Sequence, residues 1–201
     1  MSPWGVRTSA EDGLTRGRVS HGTVRHARGH PDIATLAGER GLRTALGSFA
    51  TGVTVATVGT DPPHGMTANA FTSVSLDPPL VLLCVRHGSA THSAIADLGA
   101  FAVSVLAADQ AVLARRFADP LRPRDHTQFD GAAWCPGPRT GAPLLVHALA
   151  WLECQVTEHL DGGDHSVFLA TVLDSGRGTG RDPLVFHRSG YHRLAPPSST
   201  G

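Results

Sequence analysis

The sequence predicts a mainly β protein, a barrel of strands covered by short helices. Short segments rich in β-branched or aromatic residues outnumber the helical segments, and turn residues separate them. One longer segment, Ala148–His159, alternates with the period of two that is typical of a strand. No internal repeat appears. At 201 residues the chain is long enough for one domain with a sizeable core.

Composition excludes several classes of function. Lys and Arg together number 17 and so do Asp and Glu, so no basic excess indicates nucleic acid or an anionic membrane as partner. The longest apolar runs, such as Leu80–Val85, are too short to cross a bilayer. Met1–Arg40 lacks the apolar core of a secretory signal. The three cysteines form no CxxC pair and leave an odd thiol, which favours a reducing cytoplasm. Cys84 and Cys154 are predicted to be small core residues.

Both ends of the chain differ from its middle. Met1–Gly38 is rich in Gly, Arg, His and Ser and has almost no apolar periodicity, which predicts a disordered extension. Its arginines also resemble those of a transit peptide, although its glycines argue against one. Residues 39–194 form the predicted domain, and residues 195–201 form a loose tail.

Local signals place the elements of the first half. Leu42, Leu46 and Phe49 share helical spacing and predict a short helix that ends near Gly52. Turn residues at 61–65 separate the next two predicted strands. The predicted strands of this half are Val53–Val58, Gly65–Ser75 and Leu80–Val85.

The second half begins with a helix, Ala90–Leu98, which Ser89 caps and Gly99 terminates. Asp109 is predicted to cap a second helix that runs through Phe117. The irregular segment Asp119–Pro143, whose only aromatics are Phe129 and Trp134, is expected to cover the active site or a dimer partner. The remaining predicted strands are Phe101–Leu106, Ala148–His159, His165–Leu173 and Leu184–Phe186.

The most informative stretch is His64–Val85. Its first half contains several hydroxyls, one amide and small residues, and these suit a flat ligand rich in hydrogen-bonding groups. An edge strand with its Thr and Ser side chains in water would show the same pattern, so both interpretations stay open. The residues concerned are Thr67, Ala68, Asn69, Ala70, Thr72, Ser73 and Ser75.

Within this stretch, MTANAFTSVSLDPPLV closely resembles the signature of the flavin reductase-like family. The resemblance continues to about Leu194. It implies an FMN-binding split β-barrel that binds FMN or FAD, usually as a homodimer. Members of the family supply reduced flavin to the oxygenases of two-component monooxygenase systems.

The resemblance also assigns flavin-binding residues. Ser89 and Thr91 would hold the flavin phosphate, although helix capping alone also accounts for this spacing. Ala70 stands where many relatives have Ser, which puts the details of ring recognition in doubt. The other implied flavin contacts are Val53, Thr54, Thr67, Ala68, Asn69, Ala70, Ser73, Ser75 and Phe117.

A second group of residues is implied at the nicotinamide nucleotide, NADH or NADPH. His165 lies in the sequence GDH, which recurs in the family near the nicotinamide and makes His165 a possible assistant in the reaction. From chemistry alone, a histidine at a turn exit is more often a hydrogen-bonded bystander. Tyr191 matches a family position that borders the same site, and Arg188 is the nearest basic residue to it.

Other catalytic motifs are missing from the sequence. Its 12 histidines include no HExxH, and the pairs His87/His92 and His187/His192 are five residues apart, which does not suit one helical face. There is no GxSxG, no GxxxxGK[ST] and no GxGxxG, and the glycines of Gly176–Gly180 indicate a loop. Hydride transfer to a flavin requires no acid, base or nucleophile, so this absence agrees with the resemblance.

The sequence therefore predicts a cytoplasmic NAD(P)H:flavin oxidoreductase that supplies reduced FMN or FAD to a partner monooxygenase. Two alternatives stay open. One is a split-barrel flavoprotein that retains its flavin and reduces another acceptor, such as ferric iron or a quinone. The other is a flavin- or haem-binding module without turnover.

Overall fold

The computed structural model describes residues 38–195. The predicted N-terminal extension, apart from Gly38, and Pro196–Gly201 of the predicted tail lie outside the described residues. The three helices are α1 (Gly38–Gly47), α2 (Ala90–Leu98) and α3 (Ala111–Ala118), with 3₁₀ turns at Ala108–Gln110 and His126–Phe129. The strands are β1 (Thr51–Gly52), β2 (Thr54–Val58), β3 (His64–Ala68), β4 (Phe71–Leu76), β5 (Pro79–Arg86), β6 (Ala100–Val105), β7 (Trp134–Pro136), β8 (Pro143–Leu145), β9 (Ala150–Asp161), β10 (His165–Arg177), β11 (Leu184–His187) and β12 (Gly190–Arg193).

The main sheet has seven antiparallel strands in the order β3-β2-β6-β9-β10-β5-β4. β3 and β4 stand at opposite ends of this order, yet only Asn69 and Ala70 separate them in the chain. The sheet must therefore curl until its two edges meet, as in a barrel. Near this corner the backbone N–H of Cys84 donates to the carbonyl of Ala70 at 2.9 Å. The predicted mainly β fold is confirmed.

This corner corrects one prediction. The single strand expected over Gly65–Ser75 is wrong, because the chain turns at Asn69 and Ala70 and its two halves join opposite edges of the sheet. Asn69 and Ala70 are both exposed. Residues that favour strands continue on both sides of the corner, but closure of the barrel breaks the strand there.

Two smaller sheets complete the architecture. β1, β11 and β12 form one of them, and β7 pairs with β8 in the other. The strand β7 and the turn His126–Phe129 lie in the segment that was expected to be irregular. Both long strands of the β9–β10 hairpin extend beyond their predicted ends.

The core has two main parts. One part lies inside the curled sheet and includes Leu83, Phe101 and Phe168, which are all fully buried. The other part lies between the sheet and α3 and includes Phe117 and Phe129.

The cysteines occupy different environments. Cys154 is fully buried as predicted, and burial, with the neighbouring Glu153 carboxylate, raises the pKa of its thiol to about 12. Cys84 is only half-buried, less than predicted, and burial raises the pKa of its thiol also. Cys135 is exposed.

The helix ends test the predicted caps. Ser89 and Gly99 cap α2 as predicted, because the Ser89 hydroxyl accepts from His92 N–H and Gly99 adopts a left-handed φ of 66°. The predicted Asp109 cap is wrong. Gln110 instead ends a 3₁₀ turn ahead of α3, where its side-chain oxygen accepts from Ala107 N–H at 3.0 Å. The predicted first helix exists, but it ends at Gly47 and leaves Leu42 exposed.

One carboxylate is fully buried on the outer side of β9. Glu153 Oε1 accepts hydrogen bonds from Arg139 N–H (3.0 Å), Thr140 N–H (2.7 Å) and the Thr140 hydroxyl (2.8 Å). A Cβ built on Gly137 would lie 2.2 Å from this oxygen, so only glycine leaves room for it. Glu153 therefore fixes the turn between β7 and β8 against the main sheet.

We expect Glu153→Ala to lower the free energy of unfolding by about 2–4 kcal/mol, because it leaves buried donors without an acceptor. Urea unfolding followed by circular dichroism would measure the loss. Glu158→Ala, an exposed position on the same strand, is the control and should change stability by less than about 0.5 kcal/mol. Equal losses in both variants would contradict the anchoring role.

Candidate functional site

A cavity of about 560 Å³ lies where β3, the connection from β5 to α2, and the end of α3 with its following loop meet. This volume is within the range of about 300 to 1,000 Å³ that small-molecule sites occupy. Arginines are prominent in the lining, and none of its described residues is an Asp or Glu. The polar lining residues are His64, Thr67, Arg86, His87, Ser89, Arg122, Arg124 and Gln128.

One wall is the N-terminus of α2. The Ser89 hydroxyl donates to the Arg86 carbonyl at 3.0 Å and accepts from His92 N–H at 3.1 Å. Ser89 and Ala90 both line the cavity. The first N–H groups of a helix lack acceptors within the helix and carry its positive end, so this wall suits an anion such as a phosphate.

Thr91 is placed differently. Its side chain is buried at 1% exposure and does not line the cavity. Its hydroxyl oxygen has no hydrogen-bond partner among the described residues. The structure therefore brings Ser89, and not Thr91, to the cavity surface.

The floor of the cavity is β3. A Cβ on Gly65 would lie 2.6 Å from Phe117 Cε1, so a glycine is required where α3 crosses this strand. Phe117 itself is fully buried and contributes to the cavity lining, and its ring packs at a tilt against Phe129 with the ring centroids 5.1 Å apart. Thr67 also lines the cavity, and its hydroxyl donates to the Ala114 carbonyl of α3 at 2.7 Å.

The loop after α3 forms the opposite wall and is tied to β3 by Gln128. This buried side chain accepts from Gly65 N–H at 2.8 Å and donates to the Pro63 carbonyl at 2.6 Å. Arg122 adds a third bond, from its Nε to the Gly65 carbonyl at 2.9 Å. The loop is therefore held by defined hydrogen bonds rather than by general packing.

The arginines of this wall make the cavity electropositive. Burial lowers the pKa of Arg122, an effect that Asp119 opposes and Arg124 reinforces. Burial also lowers the pKa of His64 on β3, and the charges of Arg122 and Arg124 lower it further. A positive field extends across the cavity from the loop to β3.

Most of the other predicted flavin contacts lie outside the cavity. Val53 and Thr54 are buried, and the Thr54 hydroxyl donates to the Ala68 carbonyl at 2.7 Å. Ser73 is exposed, and Ser75 accepts from a backbone N–H of its own turn. The structure thus brings Thr67, Ser89 and Phe117 together and leaves outside the cavity Val53, Thr54, Ala68, Asn69, Ala70, Ser73, Ser75 and Thr91.

The three predicted nicotinamide contacts occupy different places. His165 pairs with Arg86 across β10 and β5, so it borders one end of the cavity, and its Nδ1 lies 2.7 Å from Asp164 Oδ1. Tyr191 is on β12, where Arg115 lies 5.4 Å over its ring. Burial raises the pKa of Tyr191.

Arg188 lies apart from His165 and Tyr191. It has a φ of 47° in the turn between β11 and β12, and its N–H donates to the Gly47 carbonyl at 2.8 Å. It does not line the cavity.

Sequence reasoning missed a histidine pair beside the cavity. His87 and His92 place their Nε2 atoms 3.0 and 2.8 Å from the buried hydroxyl of Ser166. Their five-residue spacing was noted and set aside as unsuited to a metal. Among residues 38–195 no group of three or more His, Cys, Asp or Glu side chains is arranged to hold a metal ion.

The model of the flavin reductase-like domain family matches residues 46–195. The chain belongs to the flavin reductase-like family. An NADH-dependent FAD reductase of Streptomyces globisporus is 48% identical over 160 residues, which cover 80% of this chain and 88% of that protein.

Solved structures agree with this family. The chain resembles the crystal structure of BorF, the flavin reductase component of a bacterial two-component tryptophan halogenase. The TM-score is 0.75 and the identity 53%, and the match covers 79% of this chain and 99% of BorF. The NADH:FAD oxidoreductase SgcE6 of Streptomyces globisporus, in complex with NAD and FAD fragments, matches at TM-score 0.75 and 46% identity over 80% of this chain and 94% of its own. The predicted family and the predicted split β-barrel fold are confirmed.

Within the described part of this flavin reductase-like protein, the helices are too short or too polar to cross a membrane. Sequence reasoning also missed the residues of the loop wall, chiefly Arg122, Arg124 and Gln128. The only signal for them was the length of the irregular segment, which is typical of functional loops.

The histidine pair predicts acid sensitivity. Burial, with His87 and His159 nearby, lowers the pKa of His92 below its ordinary value. The unfolded chain therefore binds the proton more tightly, so stability is unaffected above about pH 6.5 and falls as the pH drops below it. Between pH 7.5 and pH 5.5 we expect the melting temperature of His92→Gln to fall less than that of the parent protein.

Thermal unfolding at both pH values would measure this difference. His192→Gln, an exposed position on β12, serves as the control and should match the parent. An unchanged pH dependence in His92→Gln would show that this histidine does not carry the effect.

Proposed function

We propose that this protein transfers hydride from NADH to FAD or FMN and releases the reduced flavin to a partner monooxygenase or halogenase component. The observation that carries the proposal is the arginine-lined cavity at the N-terminus of α2, whose lining has no carboxylate among residues 38–195. The relatives support it, since two are named for NADH and FAD and one for a two-component halogenase.

The residues present fit a flavin phosphate. Ser89, the first N–H groups of α2 and the Arg86 guanidinium lie on one wall of the cavity and offer donors and positive charge. Thr91 lies two residues after Ser89 in the first turn of α2, and its buried hydroxyl has no partner among the described residues, so it is free to bond a ligand there. We assign the phosphate to Ser89 and Thr91.

The ring of the flavin would lie along β3 and the β3–β4 corner. Thr67 lines the cavity, while Asn69 and Ala70 leave the backbone of the corner exposed. Thr54 supports this strand from below through the Ala68 carbonyl. We keep Val53, Ser73, Ser75 and Phe117 as further contacts or supports of the ring.

A bound flavin supplies the hydride acceptor, its ring nitrogen N5. The work of the chain is to hold the two ligands in contact and to stabilise the negative charge that the ring gains. Backbone donors at the exposed β3–β4 corner and the arginines that line the cavity would serve the second task. No side-chain acid or base is needed.

His165, Tyr191 and Arg188 are our proposed contacts to the nicotinamide nucleotide. His165 borders the cavity through Arg86, which supports its assignment most directly. Tyr191 is connected to the cavity through α3, since Ala114 accepts from Thr67 while Arg115 lies over the Tyr191 ring. We further propose a homodimer in the cytoplasm, where the three free cysteines would stay reduced.

Aerobic oxidation of NADH and of NADPH, followed by nicotinamide absorbance without flavin, with FMN and with FAD, tests the function. We expect turnover that depends on added flavin and is faster with NADH. Turnover without added flavin would indicate a retained cofactor and another acceptor, such as ferric iron or a quinone. No oxidation under any condition would leave a flavin- or haem-binding module.

We expect His165→Ala to raise the KM for NADH by about tenfold, the size of one lost hydrogen bond to a charged or polar group, with little change in flavin affinity. Steady-state kinetics and fluorescence titration of FAD would measure the two effects. His159→Ala, an exposed position on the partner strand of the same hairpin, is the matched control. Equal weakening of both ligands, or of neither, would contradict the assignment.

A further inference from the structure

We propose that Arg122 and Arg124 form a second phosphate subsite in the cavity, separate from the one at Ser89. This inference rests on the proposed function, and it adds the ligand class: a nucleotide with a further phosphate besides the one at α2.

The two subsites lie on different segments of chain. Ser89 belongs to the connection between β5 and α2, whereas Arg122 and Arg124 belong to the loop after α3. Both segments line the same cavity, and β3 lies between them as its floor. A ligand with two phosphate groups can offer one to each segment.

Arg122 is preorganised for such a role. Its Nε donates to the Gly65 carbonyl at 2.9 Å and its Nη1 donates to the Asp119 carbonyl at 2.8 Å. Gly65 is in turn fixed by the buried Gln128. A half-buried guanidinium with two donors used on backbone still presents donors for an oxyanion.

Asp119 offsets the positive charge of this wall only in part. Within residues 38–195, neither Arg122 nor Arg124 forms a salt bridge. The nearby carboxylates are engaged elsewhere, since Asp119 accepts from Leu121 N–H at 2.8 Å and Asp125 accepts from the N–H and hydroxyl of Thr127. Burial lowers the pKa of Arg122 and repulsion from Arg124 lowers it further, and a bound anion would relieve this repulsion.

Two ligands of the proposed reaction carry such a group. One is FAD, whose diphosphate has a phosphate that FMN lacks, and the other is the nicotinamide nucleotide. The shared chemistry is a phosphate ester of a dinucleotide, and comparison of FAD with FMN separates the two sources.

The test uses Arg124→Gln, because Arg124 is exposed and makes no side-chain hydrogen bond within the described residues, so its loss should not unfold the chain. Arg122→Gln is the second variant. Arg40→Gln, an exposed arginine on α1 outside the cavity, is the matched control. Dissociation constants for FAD, FMN and ADP are measured by fluorescence titration and calorimetry without NADH, and KM values by steady-state kinetics.

For a subsite that takes the FAD phosphate, we expect Arg124→Gln to raise the dissociation constant of FAD about tenfold and that of FMN less than twofold. If the nicotinamide nucleotide occupies it, the KM for NADH rises equally with FAD and FMN while flavin binding is unchanged. Equal weakening of FAD and FMN, or no change in any constant, would overturn the subsite.

The ADP measurement separates this inference from the proposed function. If the parent protein oxidises no NADH but binds ADP through Arg124, the reductase function fails and the phosphate subsite stands. If the parent is a flavin-dependent reductase whose ligand binding is insensitive to Arg122 and Arg124, the function stands and the subsite fails.

Discussion

The site depends on how β3 is held. This strand is an edge of the seven-stranded sheet, and its backbone at Gly65 is bonded on both sides, its N–H by Gln128 and its carbonyl by Arg122. Thr67 adds a bond to the carbonyl of Ala114 in α3. An unpaired strand edge would invite pairing with another chain, and here side chains of the loop after α3 occupy part of it. The hydrogen bonds that cover the edge of β3 also hold the loop wall of the cavity, so the same contacts complete the barrel and position the site.

Glycine makes this arrangement possible at one position. The Phe117 ring lies so close to Gly65 that no β-carbon fits, and the same ring packs into the core with Phe129. Packing of α3 on the sheet therefore fixes the depth of the cavity floor. Because interiors are close-packed, a shift of this helix would move the floor and the arginine wall together.

Elements with local signals could be predicted from the sequence, whereas the contacts that build the cavity could not. The Ser89 and Gly99 caps and the strand Leu80–Val85 each depend on a few neighbouring residues, and the structure contains all three. Gln128 and Arg122 bond to Gly65 across 63 and 57 residues, and nothing in their own neighbourhood indicates such partners. The corner at Asn69 was missed for the same reason, since closure of the whole barrel determines it. The proposed ligand contacts came from the family resemblance, not from periodicity or spacing.

The exposed arginines of the cavity favour release of the product, the reduced flavin. Arg86 and Arg124 are exposed at the cavity, so solvent and salt screen much of their attraction for a phosphate. Binding that depends on screened charges and a few donors is strong enough to orient a ligand and weak enough to permit rapid exchange. A flavin enclosed by apolar walls would instead leave slowly. The cavity of this flavin reductase-like protein combines arginines and hydroxyls with apolar side chains such as Met66 and Phe117. Its exposed arginines favour a flavin that binds, accepts hydride and departs.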